Sequence, residues 1–127
     1  MESVHELSAR LEENTRQRNE IADQLRVANE EALKLSEESQ THYAEAAWAN
    51  AKVHAMADRC DSSSLPLESF KELNEQAMFH AKRSHELKKK GHEEFARIDA
   101  LRREDLRLRR EYEETHQALQ ELSFAGR

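Results

Sequence analysis

The histidines are the residues of this sequence with the widest chemical use, because imidazole binds metal ions and exchanges protons near neutral pH. There are seven of them, and a helical spacing of three and four residues places His42 and His80 in neighbouring layers of one apolar seam. Together with the nearby Glu45 they carry donor atoms that zinc accepts. No cysteine or third histidine follows at a matching spacing, so the sequence predicts no metal site and no cofactor.

The only cysteine, Cys60, is the one candidate thiol nucleophile. No histidine–acid pair stands beside it in the sequence, so a nucleophilic site is not indicated. A single cysteine forms no internal disulfide, which favours a reducing compartment. No apolar run approaches the roughly 20 residues of a membrane span, and no apolar leader follows Met1. We expect an intracellular protein, cytoplasmic or nuclear, that is not an enzyme, has no small-molecule substrate and does not use a membrane.

Basic residues cluster at 82–83, 88–90 and 102–110. A basic helix face can bind phosphates, so a nucleic-acid or phosphate-binding helical module is the alternative function. The whole chain is acidic, with 20 basic and 26 acidic residues and a net charge of −6. The acidic stretch 17–45 also supplies counter-charges to the basic stretch 81–109 if the two face each other. Nucleic acid is therefore not the partner that we expect first.

The elements that would position these residues are two long helices. Two glycines and one proline in 127 residues cannot supply the turns of a β-sandwich or barrel. The one strong helix stop is Asp-Ser-Ser-Ser-Leu-Pro at 61–66, where Ser64 suits an N-cap, Pro66 a first helical turn and Glu68 the positive end of a helix dipole. This predicts helix 1 at about 3–60, a loop at about 61–64 and helix 2 at about 65–124, with Gly126 as an end signal.

The heptad pattern predicts how the helices pair. In both segments a seam of mostly apolar residues recurs at alternating spacings of three and four, from Val4 to Cys60 and from Phe70 to Leu122, and its phase never shifts. Such a sustained 3.5-residue repeat is typical of a left-handed coiled coil. The repeat continues through Gly91, which favours one continuous helix 2. We therefore predict an all-α fold, a long antiparallel two-helix coiled-coil hairpin forming a single domain over 1–127.

The register of the hairpin follows from the position of the turn. If the turn centres near Ser63, Ala49 lies opposite Ala77. Seam positions also hold Arg18 and Asp105 in adjacent layers, which predicts a half-buried ion pair, because either charge alone would be costly to leave there. An alternative fold breaks the helices near 36–42 and near Gly91 and collapses the chain into a compact three- or four-helix bundle.

A second apolar stripe on helix 1, which contains the tryptophan of the sequence, lies away from the seam. In the predicted register two apolar residues of helix 2 lie at the height of this tryptophan. Since a two-helix hairpin cannot bury two opposite faces, these residues predict a protein interface. They are Ala44, Ala47, Trp48, Ala51, Ala55, Met78 and Phe79.

The function that we predict is that of a non-enzymatic structural or scaffold coiled-coil protein. It mediates protein–protein interaction or assembly as a subunit of a larger complex. The partner is another protein or a second copy of the chain, and a dimer would form a four-helix bundle near the loop end.

Overall fold

Two long α-helices make up the described structure. The computed structural model describes residues 3–59 and 67–125, in which helix α1 spans Val4–Arg59 and helix α2 spans Leu67–Ala125, with no strand in these ranges. The helices pack against each other, so the predicted all-α helical hairpin is confirmed. Four residues that served to predict the helix ends or chemistry lie outside the described residues: Cys60, Ser64, Pro66 and Gly126.

Ser3 caps the start of α1. Its hydroxyl Oγ accepts a hydrogen bond from the Glu6 backbone N–H at 3.1 Å, and its carbonyl accepts one from the Leu7 N–H at 3.0 Å. The first bond satisfies one of the backbone donors that a helix start leaves without intrahelical partners, and the second is the first backbone hydrogen bond of the helix. In α2, Glu68 lies in the first turn as predicted, where its negative charge complements the helix dipole.

Burial follows the predicted heptad seam. Every buried residue in the described part of the chain occupies a seam position, and among the described seam positions only Val4 is exposed, at 51%. Leu87 and Leu108 are the largest side chains that are fully buried. The spacing of apolar residues therefore predicted correctly which side of each helix packs against the other.

Both helices run without interruption through the places where breaks were considered. Helix α1 is continuous across 36–42, and helix α2 is continuous through Gly91. The compact three- or four-helix bundle is therefore wrong. A glycine inside a helix costs only about 1 kcal/mol relative to alanine, which a long helix with a buried seam absorbs.

The packed helices divide into two units, one comprising Met1–Glu30 with Phe95–Arg127 and the other Glu31–Glu94. In the first unit, the Asn14 side-chain amide donates a hydrogen bond to the Leu108 carbonyl at 2.7 Å. Arg18 Nε lies 3.5 Å from Asp105 Oδ1, so the predicted ion pair is confirmed. Asp105 Oδ2 also contacts Arg109 Nε at 3.0 Å. Polar groups thus tie the two helices together at an interruption of the apolar seam.

The second unit shows that the predicted register is wrong by half a heptad. A turn centred near Ser63 would place Ser39 opposite Leu87 and His42 opposite Ser84. Instead Ser39 contacts Ser84, and His42 contacts His80. Contacts between the helices in the first unit have the same offset. Each α1 residue therefore faces α2 three or four residues earlier than predicted.

Small residues explain this register. Ser39 Oγ donates to the Ser84 carbonyl at 3.1 Å, Ser84 Oγ donates to the Ser39 carbonyl at 3.0 Å, and the two hydroxyls lie 3.2 Å apart. A short side chain reaches the opposite backbone only where two helices approach closely. The same offset brings Ala46, and not Ala49, level with Ala77. Pairing small with small residues permits this close packing while every apolar residue keeps its place in the seam.

Gly91 offers a simple test of packing within the second unit. It is buried in the seam at the level of Ala32, and a Cβ added to it would meet nothing within 4 Å beyond its own helix backbone and chain neighbours. We expect Gly91→Ala to raise the free energy of unfolding by about 0.5–1 kcal/mol, because alanine is the better helix former and no clash opposes it. Urea denaturation would measure this gain, and a destabilised variant would contradict the open space at Gly91.

The Arg18–Asp105 pair should be energetically coupled. Both side chains are half-buried, and Arg18 Nε is buried without a hydrogen-bond partner of good geometry. We expect Asp105→Ala to destabilise the wild type by about 1–2 kcal/mol, and an Arg18→Leu background by less, since no buried cation would then remain. A double-mutant cycle of unfolding free energies measures the coupling. Strictly additive effects would exclude it.

Candidate interaction surface

The second unit carries a group of large apolar side chains outside its seam. Trp48 is 54% exposed and Phe79 61%, and the remaining predicted interface residues are exposed as well: Ala44, Ala47, Ala51, Ala55 and Met78. Single exposed apolar residues are ordinary on protein surfaces. Here the tryptophan lies in a stretch of α1 whose alanines point to several sides. These side chains are therefore accessible, as the residues of a docking surface must be.

The structure does not gather these seven residues on one face. One flank of the second unit carries a shallow groove of about 390 Å³, which we call the tyrosine groove. Of the predicted interface residues, Ala47 alone lines it. Lys88 Nζ lies 5.5 Å from the centre of the Tyr43 ring, a cation–π contact across the groove. The groove is lined by Tyr43, Ala46, Ala47, Asn50, Ala81, Ser84, His85 and Lys88.

The opposite flank holds Trp48 and Phe79, and we call it the aromatic flank. Trp48 directly precedes the seam residue Ala49, and Phe79 directly precedes the seam residue His80. The two aromatic residues therefore occupy the same heptad position on their helices and project to the same side. In the observed register Phe79 is level with Ala44, so Trp48 lies about 6 Å from it along the axis. This brings one large aromatic residue from each helix onto a common surface.

Neighbouring residues contact both aromatic rings of this flank. Lys52 Nζ lies 4.5 Å from the centre of the Trp48 ring, one turn along α1. The Phe79 ring meets the His80 ring edge-on at a centroid distance of 5.2 Å and lies 6.3 Å from the His42 ring. Cation–π and edge-to-face contacts of this kind hold exposed rings in defined orientations. Both rings of the aromatic flank thus contact side chains of the hairpin while most of their surface stays exposed.

Sequence reasoning missed the division into two flanks because it treated the apolar residues outside the seam as one surface, although their heptad positions place them on two sides of the hairpin. It also used the wrong register. The predicted register placed Met78 at the height of Trp48, whereas the observed register places Met78 near Ala44. The heptad position of Met78 assigns this residue to the side of the tyrosine groove. The groove itself was not predicted, although Tyr43 was visible as an apolar residue outside the seam. The matching of small seam residues, Ser39 with Ser84, was the signal that would have indicated the correct register.

Some of the arginines of α2 are paired with acids of the same helix. Arg107 contacts both Glu104 and Glu111, Arg109 contacts Asp105 at 3.0 Å, and Arg83 Nη1 lies 3.5 Å from Glu86. The hydrogen bonds from Arg107 lower the pKa of the Glu104 carboxyl from its ordinary value. Carboxylates between the basic residues weaken the positive field that a nucleic-acid backbone needs.

The described helices contain neither a group of metal ligands nor a membrane-spanning stretch. Within 3–59 and 67–125, no three or more His, Cys, Asp or Glu side chains are grouped so that they could hold a metal ion. In the same ranges neither helix contains a stretch long and apolar enough to cross a membrane.

No protein-family model matches the chain, and neither the curated proteins nor the solved structures contain a match to it. The function proposed for this protein therefore rests on the surface geometry of the described residues.

Proposed function

We propose that this protein is a non-enzymatic structural or scaffold protein, and that the aromatic flank of its second unit binds another protein or a second copy of the chain. The observation that supports this most directly is the exposure of Trp48 and Phe79 on one flank, while the seam between α1 and α2 is filled by other residues. The packing of the hairpin itself leaves both rings more than half open to solvent.

The distribution of apolar residues around α1 supports the same proposal. Between residues 44 and 57 alanine, valine, methionine and tryptophan occur on several sides of the helix, interrupted by Glu45, Asn50, Lys52 and His54, whereas α2 covers only the seam positions 46, 49, 53 and 56. Apolar residues outside the packed stripe of a helix are typical of a helix that is buried on more than one side. Burying a tryptophan or a phenylalanine contributes about 1.5–3 kcal/mol or somewhat more, and neighbouring alanines permit a close approach of another helix.

Two kinds of partner fit this surface. A second copy would form a four-helix bundle near the loop end, and another protein would make the hairpin a subunit of a larger complex. The single cysteine of the sequence favours a reducing, intracellular setting, cytoplasmic or nuclear.

Trp48→Ala tests the proposal. We expect it to weaken association by more than about 1 kcal/mol, or at least fivefold in Kd, because an exposed tryptophan anchor would be lost. Sedimentation equilibrium measures association between copies, and titration calorimetry measures it for an identified partner. Phe95→Ala is the matched control, since it removes another exposed aromatic residue from the first unit. It should leave association unchanged.

The thermal midpoint of the monomer decides whether Trp48 belongs to the interface or to the fold. We expect Trp48→Ala to leave it nearly unchanged at concentrations where the chain is a monomer. A sharp fall would assign Trp48 to the folding core and contradict the proposed interface.

The alternative function is nucleic-acid binding through α2, and the paired arginines do not favour it. A salt-sensitive complex with DNA or RNA would support this alternative.

A further inference from the structure

Two histidines face each other across the seam of the second unit. His42 Nδ1 lies 2.8 Å from His80 Nδ1, the ring centroids are 5.0 Å apart, and both side chains are half-buried. This distance is that of a hydrogen bond between the helices. The proposed interface does not need this contact, and the seam would ordinarily hold apolar residues at these two positions.

The number of protons determines whether this hydrogen bond can exist. One Nδ1 must carry a hydrogen and the other must offer a lone pair. Two neutral rings of different tautomer satisfy this requirement, and so does one imidazolium beside one neutral ring. When both rings are imidazolium, both Nδ1 atoms are donors, and two positive charges face each other without an acceptor between them.

We propose that the His42–His80 pair is a proton-sensitive contact that weakens the second unit as the pH falls from about 7 to about 5, the range in which histidine side chains ordinarily titrate. In the unfolded chain the two rings are far apart, so both take up protons freely. In the folded pair a second proton would remove the acceptor of the hydrogen bond and set two positive charges against each other. The unfolded state therefore binds more protons in this range, and the free energy of unfolding decreases as the pH falls.

The surrounding charges act in both directions. On α1, Glu38 and Glu45 lie one turn before and after His42, and their carboxylates favour proton uptake. His42 also lines a shallow groove whose charged members are Lys34, Glu37 and Glu38. On α2, Arg83 lies one turn after His80 and opposes proton uptake, although Glu86 at 3.5 Å partly offsets its charge.

Phe79 connects this contact to the aromatic flank. Its ring meets His80 at 5.2 Å and lies 6.3 Å from His42, so separation of the two histidines should move it. Acid would then alter the surface that a partner recognises. This last step rests on the proposed function, whereas the loss of stability does not.

The test compares thermal midpoints between pH 7.5 and pH 5, in buffers containing EDTA so that no metal bridges the rings. The chains are the wild type, the double variant His42→Gln/His80→Gln, and His85→Gln, which removes an exposed histidine of the same unit. We expect the midpoint of the wild type and of His85→Gln to fall by about 4 °C more over this range than that of the double variant. Equal falls in all three chains would overturn the proposal.

Two further measurements keep the proposal testable if the double variant does not fold. His80→Gln alone should remove the same part of the pH dependence, because one ring cannot form a doubly charged pair. Nitrogen chemical shifts of the wild-type histidines should show that the folded pair takes up its second proton at a lower pH than His85 does, with the Phe79 ring signals changing over the same range. A folded pair that takes up both protons over the same pH range as His85 would overturn the proposal. Failure of Trp48→Ala to weaken association would instead contradict the interface and leave this contact intact.

Discussion

Leu87→Ala should lower the free energy of unfolding by about 2–5 kcal/mol, the largest single-residue effect that we expect in this chain. Leu87 is 1% exposed, and its neighbours along the seam of α2 are Ser84 and Gly91, which have almost no side chain with which to fill a cavity. The truncation therefore removes apolar burial and leaves a void that the small neighbouring residues cannot close. Urea denaturation followed by far-ultraviolet circular dichroism would measure the change.

Leu33→Ala is the matched control for this prediction. Leu33 lies in the same unit and undergoes the same change of side chain, but it is 62% exposed. We expect it to alter the unfolding free energy by no more than about 0.5 kcal/mol. If both truncations had equal effects, the assignment of Leu87 to the core of the second unit would be wrong.

Ser84→Leu should destabilise the protein by about 2–3 kcal/mol, although a heptad pattern alone predicts that leucine at a seam position stabilises a coiled coil. Ser84 exchanges hydrogen bonds with the hydroxyl and backbone carbonyl of Ser39, so the helices approach closely at this layer. A leucine there would have to push them apart, and the Ser39 hydroxyl would lose its partner hydroxyl. The change in unfolding free energy would again be measured with urea.

Ser36→Leu serves as the control for that prediction. Ser36 is exposed on α1 in the same unit, so leucine is added without any packing against α2. We expect a change within about 0.5 kcal/mol. A stabilised Ser84→Leu variant would show that the helices can separate at little cost, and the close serine layer would not be what fixes the register.

Local sequence determined the two helices and the side on which each is buried. A 3.5-residue spacing of apolar side chains is a property of neighbouring residues, so it can be read along the chain without knowledge of the partner helix. The same pattern predicted that helix α2 continues through Gly91. It also placed Arg18 and Asp105 close enough to pair, because both interrupt the apolar seam at neighbouring heights.

The tertiary structure alone decided the register, and with it the surroundings of the candidate interface. A heptad pattern repeats, so sliding one helix by half a repeat leaves every apolar residue in the seam and changes only which residues face each other. The choice depends on the fit between side chains distant in sequence: Ser39 with Ser84, and His42 with His80. This choice sets the height of Phe79 relative to Trp48, whereas the heptad position alone assigns each of these residues to its flank. Spacing within a single helix contains no information on that fit, because close approach depends on the side chains of both helices at once.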